Sequence, residues 1–225
     1  MRNQTPRLSW RNTPQGDVPV SDRFDDPYYS LDNGLAETRH VFLEGNDLPA
    51  RFTPGFVIGE LGFGTGLNAL AAVDLWRRAG MKGRLQFTSF EAFPMAADDM
   101  QKALAAWPEL GADAEFLVEC WARGQRRAAF DCADLEVIEG DARTTLPAWR
   151  GAADAWFLDG FSPARNPEMW EPSLLAEVAR HARAGATLAT YSAAGHVRRA
   201  LADAGFGVTR TSGFRGKRHM TRGRL

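Results

Sequence analysis

Cysteine is nearly absent from this chain. Cys120 and Cys132 are the two in 225 residues, and their spacing fits neither a metal site nor a secreted disulfide scaffold. Four histidines, His40, His181, His196 and His219, are scattered along the sequence. They form no zinc constellation, so the expected activity is one without a metal. No apolar run reaches the roughly 20 residues that a spanning helix needs. The opening stretch "MRNQTPRLSWRNTPQGDVPVSDRFDD" lacks the apolar core of a signal peptide. A cytoplasmic protein with no membrane partner is the expectation. An excess of one charge is lacking as well: the net charge is −1. Internal repeats and low-complexity linkers are missing too, which excludes solenoids and tethered modules.

What is present is an ordinary globular composition, 44% hydrophobic and 24% charged, at a length that suits one α/β domain with a full core and an added segment. Residues 1–50 are mixed: "DDPYYSLDNGL" is turn-rich and "AETRHVFLEG" is open between helix and strand, and together they read as an N-terminal extension capping a main domain at 51–225. From Gly55 strands and helices alternate. "GFVIGELG", "RLQFTSFE", "DLEVIEGDA", "ADAWFLDG" and "ATLATYS" read as strands. "LNALAAVDLWRRAG", "PMAADDMQKALAAW", "RTTLPAW", "SLLAEVARHARAG" and "GHVRRALADAG" read as helices. Two closing strands, "FGVTRTSG" and "KRHMTRGRL", suggest an antiparallel hairpin. "DAEFLVECWARGQRRAAFD" is open between a helix with a loop and an inserted hairpin. The expected fold is a Rossmann-like, mostly parallel sheet with helices on both faces.

In such a sheet, ligands bind at the carboxyl ends of the strands. The first clear strand end carries "GELGFGTGLN", a G-x-G-x-G turn of Gly62, Gly64 and Gly66, with Thr65 inside it. Leu67 stands where a dinucleotide fingerprint has its third glycine and where a P-loop has lysine. Glu60 before the turn disfavours a pyrophosphate and suits a ligand with a cationic sulfonium. Glu91 ends the next strand and is placed for ribose hydroxyls. Asp141 ends the third, with Ala142 beside it, at the expected adenine position. This ordered series of acids resembles the class I S-adenosylmethionine-dependent methyltransferases.

The fourth strand end is Asp159, in "WFLDGFSPARNPEMW". An alkylamine acceptor is mostly protonated at neutral pH. A carboxylate there would orient it and help remove its proton. Phe161, Pro163 and Pro167 would wall off water and hold a flat ring. That stretch is similar to the signature of the methyltransferase domain of the MnmC family of tRNA-modifying enzymes. So are "SDRFDDPYYSLDNGLAETRHVFLEGNDLP", "ELGFGTGLN", "SFEAFP", "GDA", "LATYSAAGHVRRALADAGF" and "GFRGKRHMTRG". The resemblance covers the chain from about Val20, with a loose fit over "WARGQRRAAFDCADLEVIEGDA".

The resemblance implies transfer of a methyl group from S-adenosylmethionine to the amine of 5-aminomethyl-(2-thio)uridine at the tRNA wobble position. It implies donor contacts at Glu60, Gly62, Gly64, Gly66, Glu91 and Asp141, with Asp159 beside the transferred methyl, and Asn33 closing over the donor. The bifunctional members also carry a flavin-dependent oxidase domain, for which this sequence has no counterpart. No flavin is therefore expected, and the aminomethyl substrate must come from a separate oxidase or an ammonia-using route. The stretch Ala204–Leu225 holds six basic side chains and no acid, a pattern that steers polyanions. Lys217 and Arg218, with Arg165, are the expected phosphate contacts on the tRNA anticodon region, and Phe161 and Tyr28 the expected partners of an unstacked base. A monomer is expected. The competing readings are an aminopropyltransferase of the polyamine-synthase kind, a methyltransferase of another small amine, and a catalytically inactive adenosine sensor or tRNA-binding module.

Overall fold

The computed structural model describes residues 5–14 and 16–225. The first four residues of the expected extension, and Gln15, lie outside the described residues. Eight strands form the central sheet: β4 (Val57–Leu61), β5 (Leu85–Glu91), β6 (Arg127–Ala129), β7 (Ala133–Glu139), β8 (Ala153–Leu158), β9 (Ala182–Thr190), β10 (Gly207–Ser212) and β11 (His219–Arg224). Their spatial order is β10-β11-β9-β8-β4-β5-β7-β6. The five central strands, β9 to β7 in that order, are parallel, and β6, β10 and β11 add antiparallel edges. This is the expected Rossmann-like architecture, with its C-terminal hairpin.

The central strands are apolar because both faces are covered. In β8, Phe157 joins one core with Phe42, Ile58, Leu70 and Phe87, while Trp156 and Leu158 join the other with Phe90, Leu174 and Leu188. Successive side chains point to opposite faces, so a strand buried on both sides reads as a continuous hydrophobic run. Gly59 lets the two central strands close up. A Cβ there would stand 2.7 Å from the Trp156 ring, so alanine would force the indole or the strand to move.

The helices α2 (Leu67–Arg78), α3 (Ala97–Leu104), α4 (Gly111–Ala122), α5 (Ala142–Ala148), α6 (Pro172–Arg180) and α7 (Gly195–Asp203) follow α1 (Gly34–Thr38) near the N-terminus. The ambiguous stretch from Asp113 to Asp131 resolves into α4 and the short edge strand β6, which pairs antiparallel with β7. The expected helix over "SLLAEVARHARAG" ends early. His181 closes it, with its ring nitrogens 3.0 Å from Glu177 O and 2.9 Å from Trp149 O. "ARAG" then belongs to β9, because Ala182 pairs with Ala153 and a bulge carrying Gly185 at φ +75° restores register by Thr187. Pairing with the sheet overrides the helical propensity of two alanines and an arginine.

The N-terminal segment has structure that propensity did not announce. β1 (Leu8–Thr13), β2 (Gly16–Ser21) and β3 (Asp26–Pro27) form a separate antiparallel sheet. "AETRHVFLEG", open between helix and strand in the sequence, becomes the end of α1, a π-helical turn (Arg39–Leu43) and a 3₁₀ turn (Glu44–Asn46). Leu35, Val41, Phe42 and Leu43 from this stretch are buried in the larger core. Among the described residues, no helix is long and apolar enough to cross a membrane.

Candidate active site

The chain order of the strands reverses between β4 and β8. β4, β5 and β7 run outward in one direction, and β8 and β9 in the other. A crevice opens at such a switch point, at the carboxyl ends of the strands. Gly62 and Asp159 stand on its two lips. Gly62 N–H donates to Phe90 O at 2.9 Å, and Asp159 N–H donates to Leu61 O at 3.0 Å. Gly62 is held at φ +91°, and a Cβ on it would fall 1.9 Å from Asp159 O. Only glycine permits this backbone-to-backbone approach.

The crevice widens into a cavity of about 1970 Å³. Typical sites for one small ligand occupy roughly 300–1,000 Å³, so this one has room for a nucleoside-sized donor and a second nucleoside-sized group. Gly62, Gly64, Thr65, Glu91, Asp141 and Ala142 line it, as do Asp159, Phe161, Tyr28 and Lys217. Five expected site residues do not form its wall.

Glu91 ends β5 with both carboxylate oxygens fixed. Gly64 N–H donates to Oε2 at 3.0 Å and Phe93 N–H to Oε1 at 2.7 Å. Burial raises its pKa, and these backbone donors oppose the rise. The backbone N–H groups of Phe63 and Ala92 add to this cradle, which holds the carboxylate at the cavity wall. Asp141 caps α5 by accepting from Arg143 N–H at 2.9 Å, and it pairs with the Arg143 guanidinium, which holds its carboxyl below the usual range. Carboxylates from three strand ends, around a glycine turn with no lysine in it, match a donor carrying a cationic sulfonium and neutral ribose hydroxyls. The residues present therefore fit S-adenosylmethionine.

Asp159 is half-buried, and burial is the main cause that pushes its pKa up to about 7. Asn68 opposes this by donating from Nδ2 to Asp159 Oδ2 at 2.6 Å. The same Nδ2 donates to Glu60 Oε1 at 2.9 Å. Glu60 is fully buried behind the wall rather than in it, with Ser89 Oγ donating to its other oxygen at 2.6 Å. Its pKa is pushed well above the ordinary carboxyl value by burial. Thr38 Oγ1 in turn donates to Asn68 Oδ1 at 2.7 Å. Glu60 thus stands behind the wall, linked to the cavity through Asn68. Its strand position at the base of the turn explains this, since its side chain points into the sheet–helix interface.

Asn33, Gly66, Arg165 and Arg218 also stand outside the wall. The Asn33 side chain is committed to capping α1, accepting from Ala36 N–H at 2.9 Å. Gly66 is the left-handed N-cap of α2, backed by Phe63 and Leu117. Arg165 is outside the wall and paired with Asp25 at 2.5 Å, and Arg218 is exposed on the turn before β11. Lys217 lies 2.7 Å from Glu37 Oε1 and 4.5 Å from the Tyr191 ring centroid. Tyr191 donates its hydroxyl to Gly160 O at 2.7 Å.

Phe161 is packed rather than free. Its ring stacks on Phe24 with centroids 4.7 Å apart and meets Tyr28 edge-on at 5.0 Å. Tyr28 also lies against Gly64, whose Cβ would be 3.1 Å from it. Asp26 Oδ2 accepts from Ser162 N–H at 2.8 Å. The segment around β3 is therefore strapped across the loop after β8. Sequence reasoning missed Asn68, Glu37, Tyr191 and Phe24. Asn68 had a signal in its place directly after the glycine turn. The others are brought in from distant segments and had none.

Comparison with known proteins agrees with this geometry. A family model described as S-adenosyl-L-methionine-dependent methyltransferase matches residues 98–225. The "tRNA 5-methylaminomethyl-2-thiouridine biosynthesis bifunctional protein MnmC" of Pseudomonas aeruginosa is 47% identical over 231 residues, covering 98% of this chain and 35% of that protein. The protein of that name from Caulobacter sp. (strain K31) is 50% identical over 222 residues, covering 92% of this chain and 36% of the relative. This chain thus spans about a third of the length of the curated relatives it matches. The crystal structure of MNMC2 from Aquifex aeolicus superposes with a TM-score of 0.79 at 25% identity, covering 97% of this chain and 70% of that one. The switch-point crevice, its carboxylates and the matched family model agree: the chain belongs to the S-adenosyl-L-methionine-dependent methyltransferase family, and its counterparts there are the proteins named MnmC.

Proposed function

We propose that this chain methylates the primary amine of 5-aminomethyl-(2-thio)uridine at the wobble position of tRNA, giving the 5-methylaminomethyl product. The observation that carries this reading is Asp159: a half-buried carboxylate with a pKa near 7, on the lip of the crevice opposite the glycine turn. S-adenosylmethionine supplies a methyl group already activated on a sulfonium. What the chain must supply is alignment and a place for a proton. Glu91, the Gly62–Gly64 turn, Thr65, Asp141 and Ala142 are assigned to holding the donor. Asp159 is assigned to accepting a hydrogen bond from the acceptor ammonium and helping to take a proton from it first, so that the freed lone pair can form the N–C bond as the S–CH3 bond breaks and the donor leaves as a neutral thioether. A carboxyl poised near neutral pH suits that exchange.

The rest of the cavity supports an acceptor brought in on a macromolecule. The wall at Phe24, Phe161 and Tyr28 offers an aromatic surface for an extruded base. The names of the MnmC relatives supply the tRNA and the modified uridine. Residues 1–50 are assigned as a cap over the methyltransferase domain at 51–225, with Tyr28 covering the donor side. The chain is proposed to act as a cytoplasmic monomer, and the methyl transfer assigned to it needs neither flavin nor metal.

The acidic lining, with Glu37, Glu91, Asp141 and Asp159, would also suit a free polyamine. Transfer from a methyl-labelled donor separates the readings: label is expected in tRNA and not in spermidine. Absence of label from tRNA carrying the aminomethyl group would overturn the proposal. Asp159→Asn is expected to lower turnover by about 10²–10⁴-fold while leaving donor affinity nearly unchanged. Unchanged turnover would remove the role assigned to Asp159.

A further inference from the structure

About half of the cations among the described residues are neutralised by a carboxylate. Arg77 is held by Asp113 and Asp131, Arg84 by Asp134, Arg143 by Asp141 and Glu171, and Arg165 by Asp25. One surface gathers several of the others. At the edge of the sheet where α7 packs beside the β10–β11 hairpin, Arg198, Arg199, Arg210 and Arg218 have no carboxylate partner among the described residues. Arg199, Arg210 and Arg218 are exposed, and the Nε of Arg198 is buried without a hydrogen-bond acceptor.

Topology explains the clustering. Arg210 pairs across the hairpin with Thr221, and Ser212 with His219, so Arg210 and His219 share one face. Thr221 Oγ1 donates to Ser192 O at 2.6 Å, which sets that face toward the start of α7. His219 registers the crowding, since Arg210, Arg218 and Arg198 all depress its pKa, after burial. Like charges held together without counter-charges oppose the fold, so the arrangement calls for an external anion.

The patch also lies at the right end of the sheet. Thr221 pairs with Thr190, the last residue of β9, so Arg210 stands level with the carboxyl ends of the parallel strands. The turn joining β10 to β11 carries Arg218 on the outside and Lys217 in the cavity wall. A continuous path therefore runs from the cavity mouth onto the edge hairpin. A bilayer does not fit this shape. The exposed large apolar residues among those described are Phe116, on α4, and Leu225, beyond the far end of β11, so nothing at the patch would insert into lipid.

We propose that Arg198, Arg210 and Arg218, with Arg199 at their margin, form the docking track for the phosphate backbone of the tRNA whose wobble base enters the cavity. This rests on the functional reading above; of the expected phosphate contacts it keeps Arg218, leaves out Arg165, which is paired with Asp25, and adds Arg198, Arg199 and Arg210. Such contacts position the RNA without reading its sequence.

The test measures binding of bulk tRNA by the full chain over about 50–200 mM salt, beside methyl transfer to the same tRNA. The triple variant Arg198→Ala/Arg210→Ala/Arg218→Ala is expected to flatten the slope of log K against log salt by about 2–3, close to one per lost phosphate contact. KM for tRNA should rise by about tenfold or more, with affinity for S-adenosylmethionine unchanged. Arg127→Ala, on the opposite edge strand β6, should leave the slope as it was. If the triple variant fails to fold, Arg210→Gln and Arg218→Gln singly should each lower the slope by about one. Wild-type protein that methylates tRNA with a salt slope these variants retain would overturn the docking track alone. Wild-type protein that methylates a small amine but never tRNA would overturn the functional reading, and the track with it.

Discussion

One amide nitrogen, Asn68 Nδ2, serves two carboxyl groups, Glu60 and Asp159, at 2.9 and 2.6 Å. Thr38 fixes its orientation by donating to the Oδ1 end. Asn68 therefore opposes the rise that burial imposes on Asp159. A hydrogen bond to a charged group contributes about 1.5–3 kcal/mol, which corresponds to roughly one to two pKa units. Asn68→Ala should move the Asp159 titration to higher pH by about one unit. A kcat/KM limb near pH 7 should shift alkaline with it, and Asp159→Asn should abolish that limb. A loss of activity with the limb unmoved would show that Asn68 only supports the fold. Stability carries the opposite sign from that of an ordinary salt-bridged acid. The folded-state pKa of Asp159 lies above its unfolded value, so the folded state binds the extra proton between them. Stability should fall as pH rises from about 4 through about 7. Urea titrations across that range should show the fall in the wild type and a flatter profile in Asp159→Asn.

At the scale of elements, the crevice depends on how closely β4 and β8 approach. Gly62→Ala combines a left-handed backbone with a Cβ 1.9 Å from Asp159 O. It should cost on the order of 3 kcal/mol or more and weaken donor binding, both readable by thermal unfolding and calorimetry. Wild-type stability and affinity in this variant would mean that the strand ends have another way to fit. The strands and the glycine turn were legible in the sequence because each carries a local signal: an apolar run, then glycine, then an acid. Glu91, Asp141 and Asp159 follow from that rhythm. The N-terminal sheet was not legible, since β1 and β2 are short, mostly polar on one face and interrupted by Pro19. "ARAG" misled because its propensity is helical, while its pairing with β8 and the bulge at Gly185 make it strand. Asn33 and Arg165 are placed by needs that the sequence does not display. Their residue types suit ligand contacts, but α1 needed a cap and Asp25 lay within reach.

Across the whole molecule, a net charge of −1 hides a separation of charge. Carboxylates line the cavity, where they would meet an ammonium and a sulfonium, while unpaired arginines occupy the hairpin edge outside it. An amine tethered to a polyanion is the kind of substrate that fits both surfaces at once. A free amine would use only the first, and its transfer rate should respond little to salt. Methylation of tRNA should slow steeply as salt rises, through KM rather than kcat.

The most direct measurement is nucleoside mass spectrometry of tRNA that bears 5-aminomethyl-(2-thio)uridine, after incubation with this chain and S-adenosylmethionine. The account predicts that the aminomethyl nucleoside disappears as the species one methylene heavier, 5-methylaminomethyl-(2-thio)uridine, appears, and that Asp159→Asn leaves the mixture nearly unchanged. An aminomethyl nucleoside that persists intact beside active wild-type protein would contradict it.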